Sequence, residues 1–123
     1  MSQLIPLAWK TPPLTQNQVR RLHYRDEAKR KKTIAGEATT SIRRAKTQPM
    51  AAAEVTLHYR PGTWRRFDAD GLAPTLKVIL DALVSYGVLE DDSFRFVPHV
   101  GVTIVPPQPG KPASMWLTLE EVY

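Results

Sequence analysis

Apolar positions along this chain recur with two different periods, and the change from one to the other marks out its elements. Residues 52–59, AAEVTLHY, put Val55, Leu57 and Tyr59 on one side of a half-buried strand, and RPGTW after them reads as a turn. From Gly71 the spacing becomes helical: Leu72, Leu76, Ile79, Leu80 and Leu83 form one stripe, Pro74 is tolerable in a first turn, and Gly87 suits a C-terminal stop. A leucine stripe of this kind predicts core contact. An earlier helix is expected to start at Thr15 or Asn17, both good caps, and to run through the basic segment that follows. There Ile34, Ala38, Ile42 and Ala45 keep helical spacing, and Gly36 weakens the middle. Residues 3–9, QLIPLAW, look extended, with Pro6 limiting them to an edge or irregular strand, and Pro12 and Pro13 open a loop. The last third, FRFVPHVGVTIV and ASMWLTLEEVY, reads as two strands joined by PPQPGKP.

Length fits one domain spanning residues 1–123. No uncharged apolar run approaches the ~20 residues needed to span a bilayer, and MSQLIPLAWK lacks the basic start and long apolar stretch of a signal peptide, so a soluble cytoplasmic protein with no membrane partner is expected. The absence of cysteine excludes disulfides, thiolate zinc sites and cysteine nucleophiles, which leaves oxygen or imidazole to hold any metal. His23, His58 and His99 show no paired ligand spacing and read as non-catalytic; Trp9, Trp64 and Trp116 read as core or interface aromatics.

Charge changes the picture. Residues 20–46 hold ten Lys/Arg against three acids, whereas the rest of the chain is slightly acidic, so the net +5 comes from one segment. Arg20, Arg21, Arg25, Lys29, Arg30, Lys31 and Lys32 form either the footprint of a polyanion partner or a solvated helical face. Against this surplus, four aspartates stand at the two mouths of the second helix: Asp68 and Asp70 before it, Asp91 and Asp92 after it. Asp70 alone would serve as an N-cap, which leaves Asp68 surplus, and anions beyond a helix C-terminus face the repulsive end of its dipole. Like charges held close cost stability unless a cation or solvent relieves them. The spacing admits a hard-oxygen site for Mg²⁺, with Lys77 nearby as a further positive charge; it equally admits a surface pair between Lys77 and Asp81 and a solvated turn at Asp91 and Asp92.

The run RRFDADGL, LKVILDALVSYG and LEDD resembles the RusA-type Holliday junction resolvases, whose pattern is basic residues, D-x-D-N-L, a helix carrying Lys and D-A-L, a glycine-containing turn and a D-D pair. Pro12, Pro13 and Asn17 resemble a stretched form of the family's N-terminal P-P-x-x-N segment. The resemblance implies a small α+β fold, a mixed sheet packed with two main helices, in a homodimer that binds four-way DNA junctions and makes paired nicks with Mg²⁺ or Mn²⁺ and activated water. It implies that Asp68, Asp70 and Asp92 are the catalytic carboxylates and metal ligands, with Asp91 as a neighbouring candidate, and that Lys77 is the catalytic lysine. The basic segment would grip phosphates, and Arg65 and Arg66 would guide the cleaved strand. Two departures stand out: Gly71 replaces the family's Asn, and Lys77 follows Asp70 by seven residues, three more than in the family pattern, with Pro74 inside the insertion. A branched-DNA-binding protein with a degenerate site, in which Asp68 and Asp70 serve only as a cap and a turn, is the alternative that Gly71 favours; a structural protein with an acidic partner is a third class.

Overall fold

The chain folds as a mixed four-stranded sheet with its helices on one face, described by a computed structural model over residues 1–123. The elements run β1 (Ser2–Pro6), α1 (Gln16–Arg21), α2 (Tyr24–Arg44), β2 (Ala53–Arg60), a 3₁₀ turn (Ala69–Leu72), α3 (Ala73–Tyr86), β3 (Val100–Ile104) and β4 (Ser114–Glu121). The α+β class is as expected. The sheet order is β1-β4-β2-β3, with β4 antiparallel to both neighbours and β2 parallel to β3. Parallel pairing demands a crossover, and the segment from Pro61 to His99 supplies it with α3.

Alternation in the strands selects the core face. Val55, Leu57 and Tyr59 of β2 and Met115, Leu117 and Leu119 of β4 are buried together with Leu76, Ile79 and Leu83 of α3 and Ala38 and Ile42 of α2. Each such aliphatic side chain contributes about 1.5–3 kcal/mol on leaving water. The opposite face has no helix over it; there His58 stacks on Trp116 with ring centroids 5.2 Å apart and its Nε2 lies 2.9 Å from Thr118 Oγ1. Partial burial holds the His58 pKa below the ordinary imidazole value.

Three element predictions need correction. The first helix is two: Leu22 and His23 adopt extended backbone, Leu22 packs against a small cluster of Leu14, Ile34 and Val78, and His23 Nδ1 accepts the Arg25 N–H at 3.2 Å to cap α2. The 3–9 strand ends at Pro6, and the strand expected over residues 94–105 shortens to Val100–Ile104, because Phe96 and Val97 N–H groups both donate to Ser93 O and close a turn. Of the core or interface places expected for Trp64, the core is ruled out: it is 79% exposed. No helix is long and apolar enough to cross a membrane.

Candidate functional site

Local chemistry fixes the start of α1. Thr15 Oγ1 accepts the Gln18 N–H at 3.3 Å while Gln18 Oε1 accepts the Thr15 N–H at 2.9 Å, a reciprocal capping box that satisfies two end donors. The same loop is clamped to the third helix by Thr75, whose fully buried hydroxyl donates to Leu14 O at 2.7 Å and accepts the Leu14 N–H at 3.3 Å. α1 is thereby held beside the mouth of α3. Thr75 escaped the sequence reading, although a polar residue on the Leu72–Leu76–Ile79 stripe is itself a signal, since a buried hydroxyl needs partners. Thr75→Val should cost about 2–4 kcal/mol, because two buried backbone groups lose their partner, and chemical denaturation should show it as a lowered midpoint at unchanged slope.

The result of this docking is a cavity of about 380 Å³ into which α1 contributes Asn17 and Arg20, and the approach to α3 contributes Arg66, Phe67, Asp68 and Asp70. Asp70 lies inside the 3₁₀ turn rather than at its N-cap, so capping does not account for it; Asp68 is the N-cap residue but makes no side-chain cap bond. Arg66 Nε stands 3.9 Å from Asp68 Oδ1, a long pair with both side chains mostly exposed, worth little in stability. The carboxylates here face solvent and cations together. Gly71 has no left-handed backbone; its N–H donates to Asp68 O at 2.9 Å, and an added Cβ would stand 3.4 Å from the Phe67 ring, an ordinary contact. Asn at this position is therefore sterically admissible, and a β-branched residue faces no φ penalty.

The second acidic pair is relieved differently. Lys77 Nζ donates to Asp81 Oδ1 at 3.0 Å and to Asp92 Oδ2 at 2.8 Å, bridging α3 to the segment that follows it. Its bonds to Asp92 and then Asp81 raise the Lys77 pKa, and the Lys77 bond pulls the Asp92 pKa below the usual carboxylate value. The tie contributed by Asp92 is thus present above the ordinary carboxylate range and is lost as pH falls through the depressed value; that contributed by Lys77 is present below the ordinary lysine range and is lost as pH rises through the raised value. Asp92→Asn should return the Lys77 ammonium toward its ordinary titration, which side-chain NMR across alkaline pH would record.

The two groups stay apart. Lys77 and Asp92 do not line the cavity that holds Asp68 and Asp70, and no cluster of three or more His, Asp or Glu side chains is placed to hold a metal ion. Seven residues of 3₁₀ and α-helix separate Asp70 from Lys77 by about 10–14 Å of rise, and Lys77 bonds to Asp81 one turn further on. Asp91 is exposed.

Comparison with protein-family models and with curated proteins finds no match for this chain. Its functional reading therefore rests on geometry, charge and the sequence resemblance described above.

The basic segment has a definite shape. Between Tyr24 and Thr33 no residue of α2 is buried, and burial begins only at Ile34. About 15 Å of helix thus carries Arg25, Lys29, Arg30, Lys31 and Lys32 clear of the core. Lys31 is partly engaged by Glu27 at 3.0 Å; Arg20 and Arg21 end α1 beside the carboxylate cavity.

Proposed function

We propose that this chain is a magnesium-dependent endonuclease acting on branched DNA, a four-way junction above all, as a homodimer with one carboxylate cavity per subunit. The observation that carries the reading is the cavity in which Asp68 and Asp70 stand among Arg20, Arg66 and Asn17, an arrangement suited to a hydrated cation on one side and phosphate oxygens on the other. Two exposed carboxylates fit Mg²⁺, which keeps several waters and is commonly bound by one or two carboxylates together with substrate phosphates rather than by a complete protein cage. When bound, the ion supplies Lewis-acid polarisation of a phosphoryl oxygen and a lowered pKa for attacking water.

The chain's own groups divide the remaining work. Asp68 and Asp70 would hold the cation; Arg20 and Arg66 would hold the phosphodiester against their repulsion; and the exposed half of α2 would bind neighbouring phosphates without reading sequence. Arg65 and Arg66 guide the strand beside the acids. Asp92 lies outside the cavity and would join as a third carboxylate only if its bridge to Lys77 opened and the segment after α3 moved toward Asp68 and Asp70. A two-fold dimer matches a substrate with two equivalent strands.

A second reading, a branched-DNA-binding protein that does not cut, is favoured by the occupied state of Lys77 and Asp92. Incubation of a synthetic four-way junction with the purified protein, with and without Mg²⁺, separates the two: paired nicks that need the metal support the endonuclease, and a gel shift without nicks supports the binder.

A further inference from the structure

Beyond the carboxylate cavity lie two further depressions, the nearer sharing a wall residue with it and the farther sharing residues with the nearer. Phe67 lines both the cavity and a second hollow of about 190 Å³, and Trp64 lines both that hollow and a third of about 600 Å³ between residues 62–64 and the proline-rich loop 107–112. Phe67 and Trp64 thus link the three hollows as shared wall residues. No acid lines the outer two, while Arg65 lines the second and Lys111 the third.

Trp64 is anomalous in this setting. A residue type that is ordinarily well buried stands 79% exposed, and no aromatic ring or cation is stacked on it. The wall opposite is stiff: Pro107, Pro109 and Pro112 fix backbone angles, and Arg60 Nη2 donates to Pro112 O at 3.3 Å, tying that loop to the end of β2 from which the Trp64 segment departs. A prearranged slot with one aromatic face and flanking cations suits a planar, uncharged ring borne on a polyanionic backbone.

We propose that Trp64 is a stacking platform for an unpaired nucleobase of the DNA strand whose backbone lies in the carboxylate cavity, with Arg65 and Lys111 meeting the phosphates on either side. The inference rests on the nucleic-acid reading above and adds to it the ligand of a separate slot. Base–aromatic stacking is tolerant of sequence because every base offers a π face, so the platform favours distorted or single-stranded DNA over continuous duplex without selecting a base.

The test uses the full chain, Trp64→Ala and Trp64→Phe, with three fluorescent probes: a four-way junction, an oligothymidylate, and an oligonucleotide of the same length made of abasic residues. Trp64→Ala should weaken oligothymidylate and junction binding by about five- to 150-fold, the range that loss of one stacked base implies, while Trp64→Phe keeps most of the affinity. Binding of the abasic strand and the dependence of log affinity on log salt should not change, because every phosphate keeps its cation. If the wild type binds the junction but Trp64→Ala binds all three probes equally well, the platform is refuted and the nucleic-acid reading stands. If the wild type binds none of the probes, both fail. A change in sedimentation of Trp64→Ala in the absence of DNA would assign the residue to a contact between copies and overturn the proposal.

Discussion

Asp70→Asn is expected to lower the single-turnover rate of junction nicking by about a hundred- to a thousandfold, with junction affinity unchanged or slightly tighter. The size follows from weakening the hold on the cation that would stabilise the developing negative charge of a phosphodiester displacement. The sign for affinity follows from Coulomb's law, since a negative charge facing phosphate has gone. Folding is not at stake: Asp70 is exposed, makes no side-chain cap bond in the 3₁₀ turn, and is replaced by a residue of nearly the same shape. Measured side by side, binding by gel shift and cutting by product formation should separate. Equal loss of both would assign Asp70 to the scaffold and remove it from the chemistry.

The second large effect concerns α2. Replacing Lys29, Arg30, Lys31 and Lys32 with Ala should weaken junction binding steeply at low salt and flatten the slope of log affinity against log salt by up to about 0.9 for each duplex phosphate that is no longer neutralised. Lys31 is expected to contribute least, because Glu27 already holds its ammonium at 3.0 Å. All four residues lie on the half of α2 that leaves the core, and Ala is a better helix former than Lys or Arg, so melting should stay level or rise slightly. A slope equal to that of the wild type would reduce this run to a solvated face.

Much of the scaffold was legible because periodicity reports which side of an element leaves water. β2, α3 with its Gly87 stop at φ 99°, and β4 all carry strong alternation or a continuous stripe, and all three form where expected. The helix break at Leu22 and His23 was hidden, since both residues are compatible with helix and the break depends on Leu22 finding Leu14, Ile34 and Val78 in space. Likewise FRFVP alternates as a strand would, yet Ser93 O captures two N–H groups and turns the chain.

The candidate site divides in the same way. Sequence alone determined the charge asymmetry, the positions of Asp68 and Asp70 before α3 and of Asp91 and Asp92 after it, and the absence of any thiolate chemistry. Tertiary structure decided which charges meet: Arg20 and Asn17 reach the first acidic pair because Thr75 clamps Leu14, a contact spanning 61 residues. It also decided that Lys77 bridges Asp81 and Asp92 instead of joining Asp70, from which it is separated by about 10–14 Å of helical rise. Local pattern fixes the face and direction of a side chain, whereas the partner it meets depends on how separate elements dock, and that is set by long-range contacts no single window contains.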